Sequence, residues 1–488
     1  MASLRGILFG ASWLLVACGN NDKSDDSAGD AGSSGGETSA TSTPTPTSSA
    51  GEETTDTPTS GGVESVRPNW HEDIAPLVTK NCQSCHVAGG IAPFSLETYE
   101  TAKNFAGLMA IDVMEGLMPP WHGIETPECD PPFPYKHDAR LSAGDKQLFQ
   151  DWSDAGAPEG DPKLAAPLPE PPSLDLKDPS TLVKSTATVE IDKVGMQSDF
   201  FHCLSIDPAN METVYLDGVQ VVPGNSGIVH HVLIFVDAQG ESAGWAGGIK
   251  QNCGGGSGIG GGQLIGGWVP GGLPMEAPEG VATELPTGTR LILNVHYHAT
   301  GAGSEQDEGT GLALRWSPTK PQWTSYFTLI GAPGIGKSLD GPLEIPAGED
   351  RHIEEYEYEI GTLGMDFPDI VDVRVWTVLN HMHKVGIDMR VWVEDRDTGE
   401  ETCLLHTPKW DFNWQRSYAL DTPIGSSVRV QSGDKVRVRC IYNNTMSNPG
   451  VVEMLGELGL DAPVDVSLGE ATGDEMCLTG IGVAIKGL

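Results

Sequence analysis

The chain has 488 residues, 38% of them apolar, and a formal net charge of −39. This length suggests about three domains, and the apolar content is enough for ordinary cores. A surface this acidic excludes general binding to nucleic acid through the phosphates.

The N-terminal segment predicts export and a lipid anchor. One positive charge precedes residues 6–17, an apolar stretch of signal-peptide length that is too short to span a bilayer. The sequence LVAC, ending at Cys18, resembles the lipobox of bacterial lipoproteins. The resemblance implies cleavage after residue 17 and acylation of Cys18, and Gly19 gives no signal for inner-membrane retention. We therefore expect an exported protein anchored to the bacterial outer membrane; an ordinary signal peptide with an incidental cysteine is the alternative.

Composition divides the rest of the chain. Residues 18–65 are rich in Ser, Thr, Gly, Pro and acidic residues, and predict a flexible tether. Residues 66–162 predict a small all-α domain, and the proline-rich stretch 163–181 predicts a spacer after it. Two all-β jelly-roll or sandwich domains are expected over 182–344 and 345–488, because short β-branched and aromatic segments alternate there with turn residues.

A Cys-x-x-Cys-His motif, NCQSCH, lies in the predicted α domain. The thiols of Cys82 and Cys85 lie one helical turn apart and can add to the vinyl groups of a haem, while His86 can bind its iron. A zinc site would need a second cysteine pair, which the nearby sequence lacks. The region resembles small cytochromes c, and the resemblance implies one covalently bound haem c.

The sixth iron ligand is expected to be Met118, in the loop GLMPPWHG that follows a helical pattern ending at Glu115. Met109 and Met114 fall inside the helical pattern and are expected in the core. His122 is a weaker alternative ligand. A methionine ligand raises the haem potential and suits electron transfer.

Histidines recur in pairs on the predicted strands. His381 and His383 are separated by one residue, so in a strand their side chains leave the same face and can chelate one ion. His296 and His298 have the same spacing. Each pair alone is commonly structural, but several such clusters on apolar strands favour a metal site.

A third cluster, His230 and His231, consists of neighbours in the segment VHHVLIFV. Neighbours on a regular strand point to opposite faces of the sheet. These two histidines can therefore share an ion only at a strand end or at a β-bulge, for which Gly227 leaves room.

An ordered series of segments over the two predicted β domains carries a family resemblance. The segments are IVHHVLIF, GGWVPGG, LPTGTRLILNVHYH, VRVWTVLNHMHKVG, DKVRVRCIYNN and GDEMC. The series resembles the ascorbate-dependent type II copper monooxygenases, the peptidylglycine and dopamine β-monooxygenase group. The resemblance implies two jelly-roll domains that each carry one copper ion, separated by solvent, and hydroxylation of a C–H bond by O2.

The resemblance also implies the copper ligands, residue by residue. The electron-supplying copper would be held by His230, His231 and His296. The O2-activating copper, and with it the catalytic role, would belong to His381, His383 and Met476. The donor types agree with copper, because a thioether favours the softer Cu(I). His298 is expected to be structural or to support a ligand.

The family's disulfide pairs match Cys203 with Cys253 and Cys440 with Cys477, so two disulfides are implied at these residues. Cys129 and Cys403 have no assigned role.

One departure from the family concerns the substrate. The peptide-amidating members hold a carboxylate with Arg, Asn and Tyr, at positions that are Leu379, Leu478 and Gly480 here. A glycine-extended peptide is therefore not the expected substrate, and the pocket is expected to be more apolar.

The leading hypothesis is a tethered monooxygenase with two coppers and a built-in c-type haem that passes them single electrons. Its expected partners are a small organic substrate, O2, an electron-donor protein or small reductant such as ascorbate, and a membrane reached only through the lipid anchor. No nucleic acid or nucleotide is expected, although GAPGIGKS has P-loop spacing, because Gly341 and Pro342 follow too soon for a phosphate-binding helix. The alternatives are a non-catalytic electron-transfer or copper-binding protein on the same fold, and a surface binding module without metal.

Overall fold

The computed structural model describes residues 67–193, 198–301, 303–361, 371–471 and 473–487. The predicted signal peptide, Cys18 and the tether lie outside these residues. Among the helices in the described part, none is long and apolar enough to cross a membrane.

A small helical region comes first. A π-helical turn, Trp70–Ile74, leads into it. The helices of the described chain are α1 (Ala75–Asn81), α2 (Tyr99–Ala102), α3 (Ala106–Glu115), α4 (Ala143–Asp154) and α5 (Pro449–Leu458). α3 ends at Glu115 as expected, and the left-handed Gly116 caps it. Met109 is buried, as expected, but Met114 is 45% exposed. Met114 lies five residues after Met109 and therefore projects from the opposite side of α3, away from the core.

The rest of the described chain is mostly β structure. The first twelve strands are β1 (Thr181–Lys184), β2 (Thr188–Ile191), β3 (Asp199–Ile206), β4 (Val214–Val222), β5 (Val229–Asp237), β6 (Ile249–Gln251), β7 (Gln263–Trp268), β8 (Met275–Glu276), β9 (Val281–Leu285), β10 (Arg290–His298), β11 (Glu305–Glu308) and β12 (Gly311–Trp316). The next twelve are β13 (Trp323–Ala332), β14 (Lys337–Ser338), β15 (Glu344–Ile345), β16 (His352–Glu359), β17 (Val373–His381), β18 (Gly386–Glu394), β19 (Glu401–Thr407), β20 (Ser417–Ala419), β21 (Arg429–Val430), β22 (Lys435–Tyr442), β23 (Val466–Ser467) and β24 (Cys477–Lys486).

The first β unit is a sandwich. One sheet has the strand order β6-β3-β10-β5-β7, and the strands β1-β12-β4-β9 form the other layer. Leu204 and Leu291 of the first sheet share one buried core with Leu216 and Leu312 of the second. Burial of this apolar surface between two layers stabilises the unit.

The second β unit is a sandwich of the same kind. The strands β14-β16-β22-β18-β19 form one sheet, and β13-β24-β17-β20 form the other layer. Val391 and Val438 of the first sheet share a buried core with Val375 and Ile481 of the second. The expectation of jelly-roll-like β sandwiches is confirmed at this level.

The two sandwiches share one continuous ten-stranded sheet. All ten residues of β13 pair with β24, whereas only Trp323 and Thr324 pair with β9, in parallel. β13 therefore belongs with the second unit, which begins at Trp323 rather than after residue 344. The assignment of β13 to the second unit depends on its pairing with β24, and nothing in the sequence of β13 itself indicates it.

The segment between α3 and α4 packs on the second β unit. Trp121 and Tyr135 are buried in the core of that unit, and Tyr135 Oη donates to the Leu404 carbonyl at 2.8 Å. A disulfide between Cys129 and Cys403 joins positions 274 residues apart and accounts for the two unassigned cysteines. The helical region is thus fastened to the second sandwich, and the proline-rich stretch 163–181 does not keep it apart.

Candidate metal centre

A β-bulge turns His230 and His231 to the same side of their sheet. In the β5–β10 pair, His296 lies opposite His231 and Tyr297 lies opposite Val229, so His230 has no partner on β10. The extra residue locally rotates the strand. The two Nδ1 atoms consequently lie 3.4 Å apart. This is the bulge that the neighbouring histidines require if they are to share an ion.

A third imidazole completes this set. The Nδ1 atom of His296 lies 3.2 Å from that of His231, and the ligand atoms of the three histidines are all within 4.8 Å of one another. Nitrogens that bind one tetrahedral metal ion at about 2.0–2.1 Å lie roughly 3.3 Å apart. The three imidazoles therefore fit a single ion, which we call the three-histidine set.

Asp199 supports His296 by a hydrogen bond. Its Oδ1 atom accepts from His296 Nε2 and from His298 Nδ1, both at 2.9 Å. A proton on His296 Nε2 leaves the Nδ1 lone pair free for a metal. Burial alone would raise the pKa of Asp199, but the two imidazoles hold it well below its ordinary value. His298 thus acts through Asp199, in agreement with a supporting role.

The second pair of histidines lies at the end of β17. His381 and His383 project on one side with their rings 5.2 Å apart, while Met382 between them is buried in the core. His381 Nδ1 donates to Gln415 Oε1 at 2.5 Å, and His383 Nδ1 donates to the Asp474 carbonyl at 3.0 Å. With each Nδ1 so engaged, each Nε2 is the free ligand atom.

Met476 lies beside His383. β17 and β24 pair His381 with Leu478, and continuing this antiparallel register by two residues brings Met476 opposite His383. The buried carboxylate of Glu475 accepts the backbone N–H groups of both His383 and Met476. Glu475 thus links the backbone of Met476 to that of His383, and the thioether as a copper ligand stays a prediction.

Burial keeps the imidazoles in the form that binds metals. It lowers the pKa of His230 to about 3 and that of His383 to about 3. It also lowers the pKa of His231 and His381 below the ordinary value. These side chains are therefore neutral at neutral pH, with lone pairs available for coordination.

All five imidazoles line one small pocket. It has a volume of about 10 Å³, room for about one water molecule, and Phe412 and Glu470 complete its wall. The rings of His231 and His381 are 6.5 Å apart. The resemblance implies two sites separated by solvent, whereas in this structure the sets from the two sandwiches adjoin.

The Cys-x-x-Cys-His motif lies at the C-terminal end of α1. Cys82 and Cys85 are free thiols and half-buried. His86 Nδ1 donates to the Phe94 carbonyl at 3.1 Å, which leaves Nε2 as its free ligand atom. Phe94 stacks on Phe105, the residue before α3. His86 therefore presents the nitrogen that the haem interpretation requires.

The other predicted features have these positions. Met118 is half-buried in the turn after α3, and its N–H donates to the Asp112 carbonyl at 3.1 Å. His122 contacts the backbone of Trp414 in the second sandwich.

Disulfides join Cys203 to Cys253 and Cys440 to Cys477, as the resemblance implies. The P-loop-like segment runs from the end of β13 into β14, and no helix follows it within residues 331–361.

Sequence reasoning missed three supporting residues. Asp199 lies directly opposite His298 on the neighbouring strand, a relationship that only the strand register reveals. Gln415 approaches His381 from a separate loop and carries no local signal. The sequence could have indicated Glu475, because a carboxylate next to Met476 in an otherwise buried segment must be hydrogen-bonded to donor groups.

Comparisons with known proteins add little to this picture. No protein-family model and no curated protein matches the chain. The major capsid protein P2 of bacteriophage PM2 is similar at a TM-score of 0.23 and 10% identity, over 63% of this chain and 97% of that one. The CBM22-1–CBM22-2 tandem domain of Paenibacillus barcinonensis Xyn10C is similar at a TM-score of 0.15 and 9% identity, over 63% and 94%. At these scores neither likeness carries an argument.

Proposed function

We propose that the chain is a copper-dependent monooxygenase that hydroxylates a C–H bond of a small organic substrate with O2, and that a c-type haem in the helical region supplies electrons. The observation that carries the proposal is the convergence of five imidazoles from two sandwiches on one pocket. His296 is hydrogen-bonded to the Asp199 carboxylate, whereas no such bond to a carboxylate is made by His230, His231, His381 or His383 within the described chain. Buried imidazoles of this kind are costly to gather unless they bind something. Reduction of O2 needs a redox-active metal, which a structural zinc site would not supply.

The donor set fits copper. Imidazole nitrogens suit both of its common oxidation states, and a thioether favours the reduced one. When bound, copper would supply the one-electron redox chemistry that O2 requires. The chain itself holds the ligands in their metal-binding tautomers: Asp199 fixes His296, and Gln415 fixes His381.

The residues around the second pair of histidines favour an apolar substrate. Leu478 is buried, and Leu379 is half-buried. A side chain at Gly480 would meet Phe327 and Leu379 at 2.5 and 2.7 Å, so no polar group could be placed there. The wall therefore offers no carboxylate-binding side chain at these positions, which argues against a peptide carboxylate and for an uncharged substrate.

The haem part of the proposal rests on the Cys-x-x-Cys-His geometry. Both thiols are free, and the His86 tautomer presents Nε2. α3 exposes an apolar stripe of Leu108, Ile111 and Met114, which suits a large apolar prosthetic group. The cleaved and acylated Cys18 would anchor the enzyme to the outer membrane of its cell, and mass spectrometry of the exported N-terminus would detect the acyl groups.

The first experiment measures copper and haem content of the exported protein, together with O2 uptake. The proposal expects two coppers and one haem per chain, and O2 uptake that depends on a substrate and yields a hydroxylated product. Met476→Ala should abolish product while the haem spectrum is unchanged, because the proposal assigns Met476 to the O2-activating copper and not to the haem. His86→Ala should slow steady turnover but spare a single turnover of pre-reduced enzyme.

A non-catalytic electron-transfer protein is the second candidate, because the helical region is fastened to the metal-bearing sandwich. It would bind copper and haem and cycle between redox states without product. Absence of copper would contradict both candidates.

A further inference from the structure

Phe412 is the one apolar residue among the described residues that line the histidine pocket; the other walls are five imidazoles and the Glu470 carboxylate. The phenyl ring stacks on His230 of the first sandwich, with ring centroids 5.6 Å apart and planes at 25°. It meets His383 of the second sandwich nearly at a right angle, with centroids 5.8 Å apart. One side chain therefore contacts a histidine of each set.

A buried cation also approaches this ring. The Lys384 Nζ atom lies 5.9 Å from the ring centroid of Phe412. Glu453 and Glu457 of α5 pair with the same ammonium group, at 3.3 and 2.7 Å. The cation can thus attract the face of an aromatic ring, but its charge is already neutralised by carboxylates. Imidazoles and an ammonium group together form a site for one ring, which the chain's own side chain occupies in this structure.

The backbone at Phe412 is held in place, whereas its ring is held only by packing. On one side of it, Trp410 Nε1 donates to the His383 carbonyl at 3.0 Å. On the other side, Gln415 Oε1 accepts from His381 Nδ1 at 2.5 Å, and Gln415 Nε2 donates to the Phe412 carbonyl at 3.0 Å. The ring has no polar atom, and the residue is half-buried. Rotation about its Cα–Cβ bond can therefore move the ring toward solvent while the loop stays in place.

The pocket as it stands is too small for an organic substrate. Its volume is about 10 Å³, whereas a cavity that binds a molecule as small as benzene measures about 150 Å³. Hydrogen bonds hold other walls: Asp199 accepts from His296, and Gly255 donates to Glu470 at 2.9 Å. Phe412 is therefore the wall that can yield, and its movement frees the space of one ring beside the second pair of histidines.

We propose that Phe412 determines the specificity of the site: an uncharged, ring-sized apolar group of the substrate displaces the phenyl ring and takes its place between His230 and His383. The inference rests on the proposed function, because it concerns the substrate of that reaction. It limits the reacting end of the substrate to the size of a single ring. It also excludes a carboxylate there, because Glu470 lines the same pocket. No covalent bond forms or breaks in this step.

The competing route into the pocket is a separation of the two sandwiches, which meet at Gly255 and Glu470. Separation would expose the histidines whatever side chain stands at position 412. Displacement of Phe412 makes their exposure depend on that side chain alone. Substitutions of Phe412 therefore distinguish the two routes.

The first test measures the accessibility of the histidines in the full chain, freed of copper by a chelator. Diethyl pyrocarbonate modifies accessible neutral imidazoles, and peptide mass spectrometry gives the rate at each histidine. Phe412→Ala should raise the rates at His230 and His383 roughly tenfold or more, because loss of the ring removes their protection. Asn413→Ala, at the exposed next residue, is the matched control and should leave the rates unchanged. Equal rates in Phe412→Ala and wild type would overturn the inference.

Phe412→Leu guards against a folding defect in the alanine variant. Leucine fills part of the space of the ring, so the rates at the two pocket histidines should be intermediate. The exposed His137 and the buried His406 serve as internal references, and their rates should be the same in all variants. If His406 reacts faster in Phe412→Ala, the comparison of Phe412→Leu with wild type decides.

The space left by the ring is tested with toluene as the probe. In Phe412→Ala, toluene should fill this space and return the rates at His230 and His383 toward their wild-type values. Benzoate has the same ring with a carboxylate and should not protect them. Failure of toluene to protect would show that the space does not accept a ring, and equal protection by benzoate would contradict the exclusion of carboxylates.

Displacement in the wild type is followed through Phe412 itself. Labelling with 4-fluorophenylalanine places one fluorine on each of the 11 phenylalanines, and the resonance that is missing in Phe412→Leu belongs to Phe412. Toluene should move this resonance toward the position of a solvent-exposed fluorophenyl group. A resonance that does not move in toluene-saturated buffer would show that the ring does not yield.

These outcomes separate the inference from the proposed function, because the accessibility tests use copper-free protein. Wild-type protein that binds no copper or forms no product contradicts the proposed function. Wild-type protein that forms product, with histidines no more reactive in Phe412→Ala than in wild type, contradicts only the inference.

Discussion

The imidazoles of His231 and His381 lie 6.5 Å apart, centroid to centroid, although they belong to different sandwiches. Contacts between the units support this closeness: Gly255 of the first donates its N–H to Glu470 Oε1 of the second at 2.9 Å. A side chain at Gly255 would meet Glu470 at 2.2 Å. The glycine-rich loop after Cys253 thus lets Glu470 approach the backbone.

The shared pocket predicts the magnetic behaviour of the copper-loaded protein. Two Cu(II) ions bound to ligands that line one pocket of about 10 Å³ should be spin-coupled. We expect an integrated electron paramagnetic resonance signal well below that of two isolated ions per chain. The double variant His381→Ala and His383→Ala, which retains only the three-histidine set, should give the full signal of one ion. Two full signals in the wild type would show that the sets bind copper far apart in solution.

A second prediction concerns Asp199, which accepts from both His296 and His298. Asp199→Asn should weaken copper binding at the three-histidine set by about 10–100-fold, because the carboxylate that orients a metal-binding histidine is lost. Competition with a chelator measures the affinity. His298→Gln should have a smaller effect, since it leaves the contact of Asp199 with His296 in place. Equal affinity in Asp199→Asn and wild type would exclude a supporting role for the carboxylate.

A third prediction concerns the buried carboxylate of Glu475. It accepts backbone N–H groups from Val385 and Gly386 as well as from His383 and Met476. Glu475→Ala should lower the free energy of unfolding by at least about 3 kcal/mol, because four buried donors lose their acceptor.

Urea unfolding of the metal-free protein measures the effect of Glu475→Ala without interference from copper affinity. Glu475→Gln keeps one acceptor oxygen and should lose less stability. The exposed Glu400→Ala should change it by no more than about 0.5 kcal/mol. If Glu475→Ala were as stable as Glu400→Ala, the hydrogen bonds of the Glu475 carboxylate to these backbone N–H groups would not contribute to stability.

The sequence predicts the placement of the histidines well because strand geometry is local. One intervening residue is enough to bring His381 and His383 to one face of β17, and the burial of Met382 on the opposite face confirms it. The requirement for a bulge at His230 follows from the same period of two, and the register of β5 against β10 shows it.

What the sequence could not predict depends on contacts between remote segments. Asp199 reaches His296 because β3 pairs with β10 in one particular register. Cys129 and Cys403 are 274 residues apart, and nothing near either one indicates its partner. The docking of the segment around Trp121 also depends on a surface formed by β19 and β20, which exists only after the second sandwich has folded.

A fourth prediction concerns the chemistry of Cys82, which the proposed function assigns to haem attachment, in haem-free protein. Burial and the neighbouring Cys85 raise the pKa of Cys82 from 9.0 to about 12. At pH 8 only about one Cys82 in 10⁴ is therefore a thiolate, and its alkylation by iodoacetamide should rise about tenfold per pH unit up to pH 10. Peptide mass spectrometry follows the rate. In urea, where the chain is unfolded, Cys82 should react like an ordinary thiol. An equally slow alkylation rate in urea would mean that folding does not cause the raised pKa of Cys82.

The last prediction concerns the disulfide that fastens the helical region. Replacing Cys129 and Cys403 together by serine should lower the free energy of unfolding by about 2–5 kcal/mol, because the disulfide closes a long loop and restricts the unfolded chain. It should also make residues 121–140 more sensitive to limited proteolysis, since only hydrogen bonds and packing then hold them.

Glu128→Gln is the matched control for the loss of the disulfide. Glu128 is the residue next to Cys129, and its exposed ion pair with Arg439 spans the same interface at 2.7 Å. Loss of this pair should cost less than about 1 kcal/mol. If the double serine variant were no less stable than Glu128→Gln, packing around Trp121 and Tyr135 alone would hold the interface.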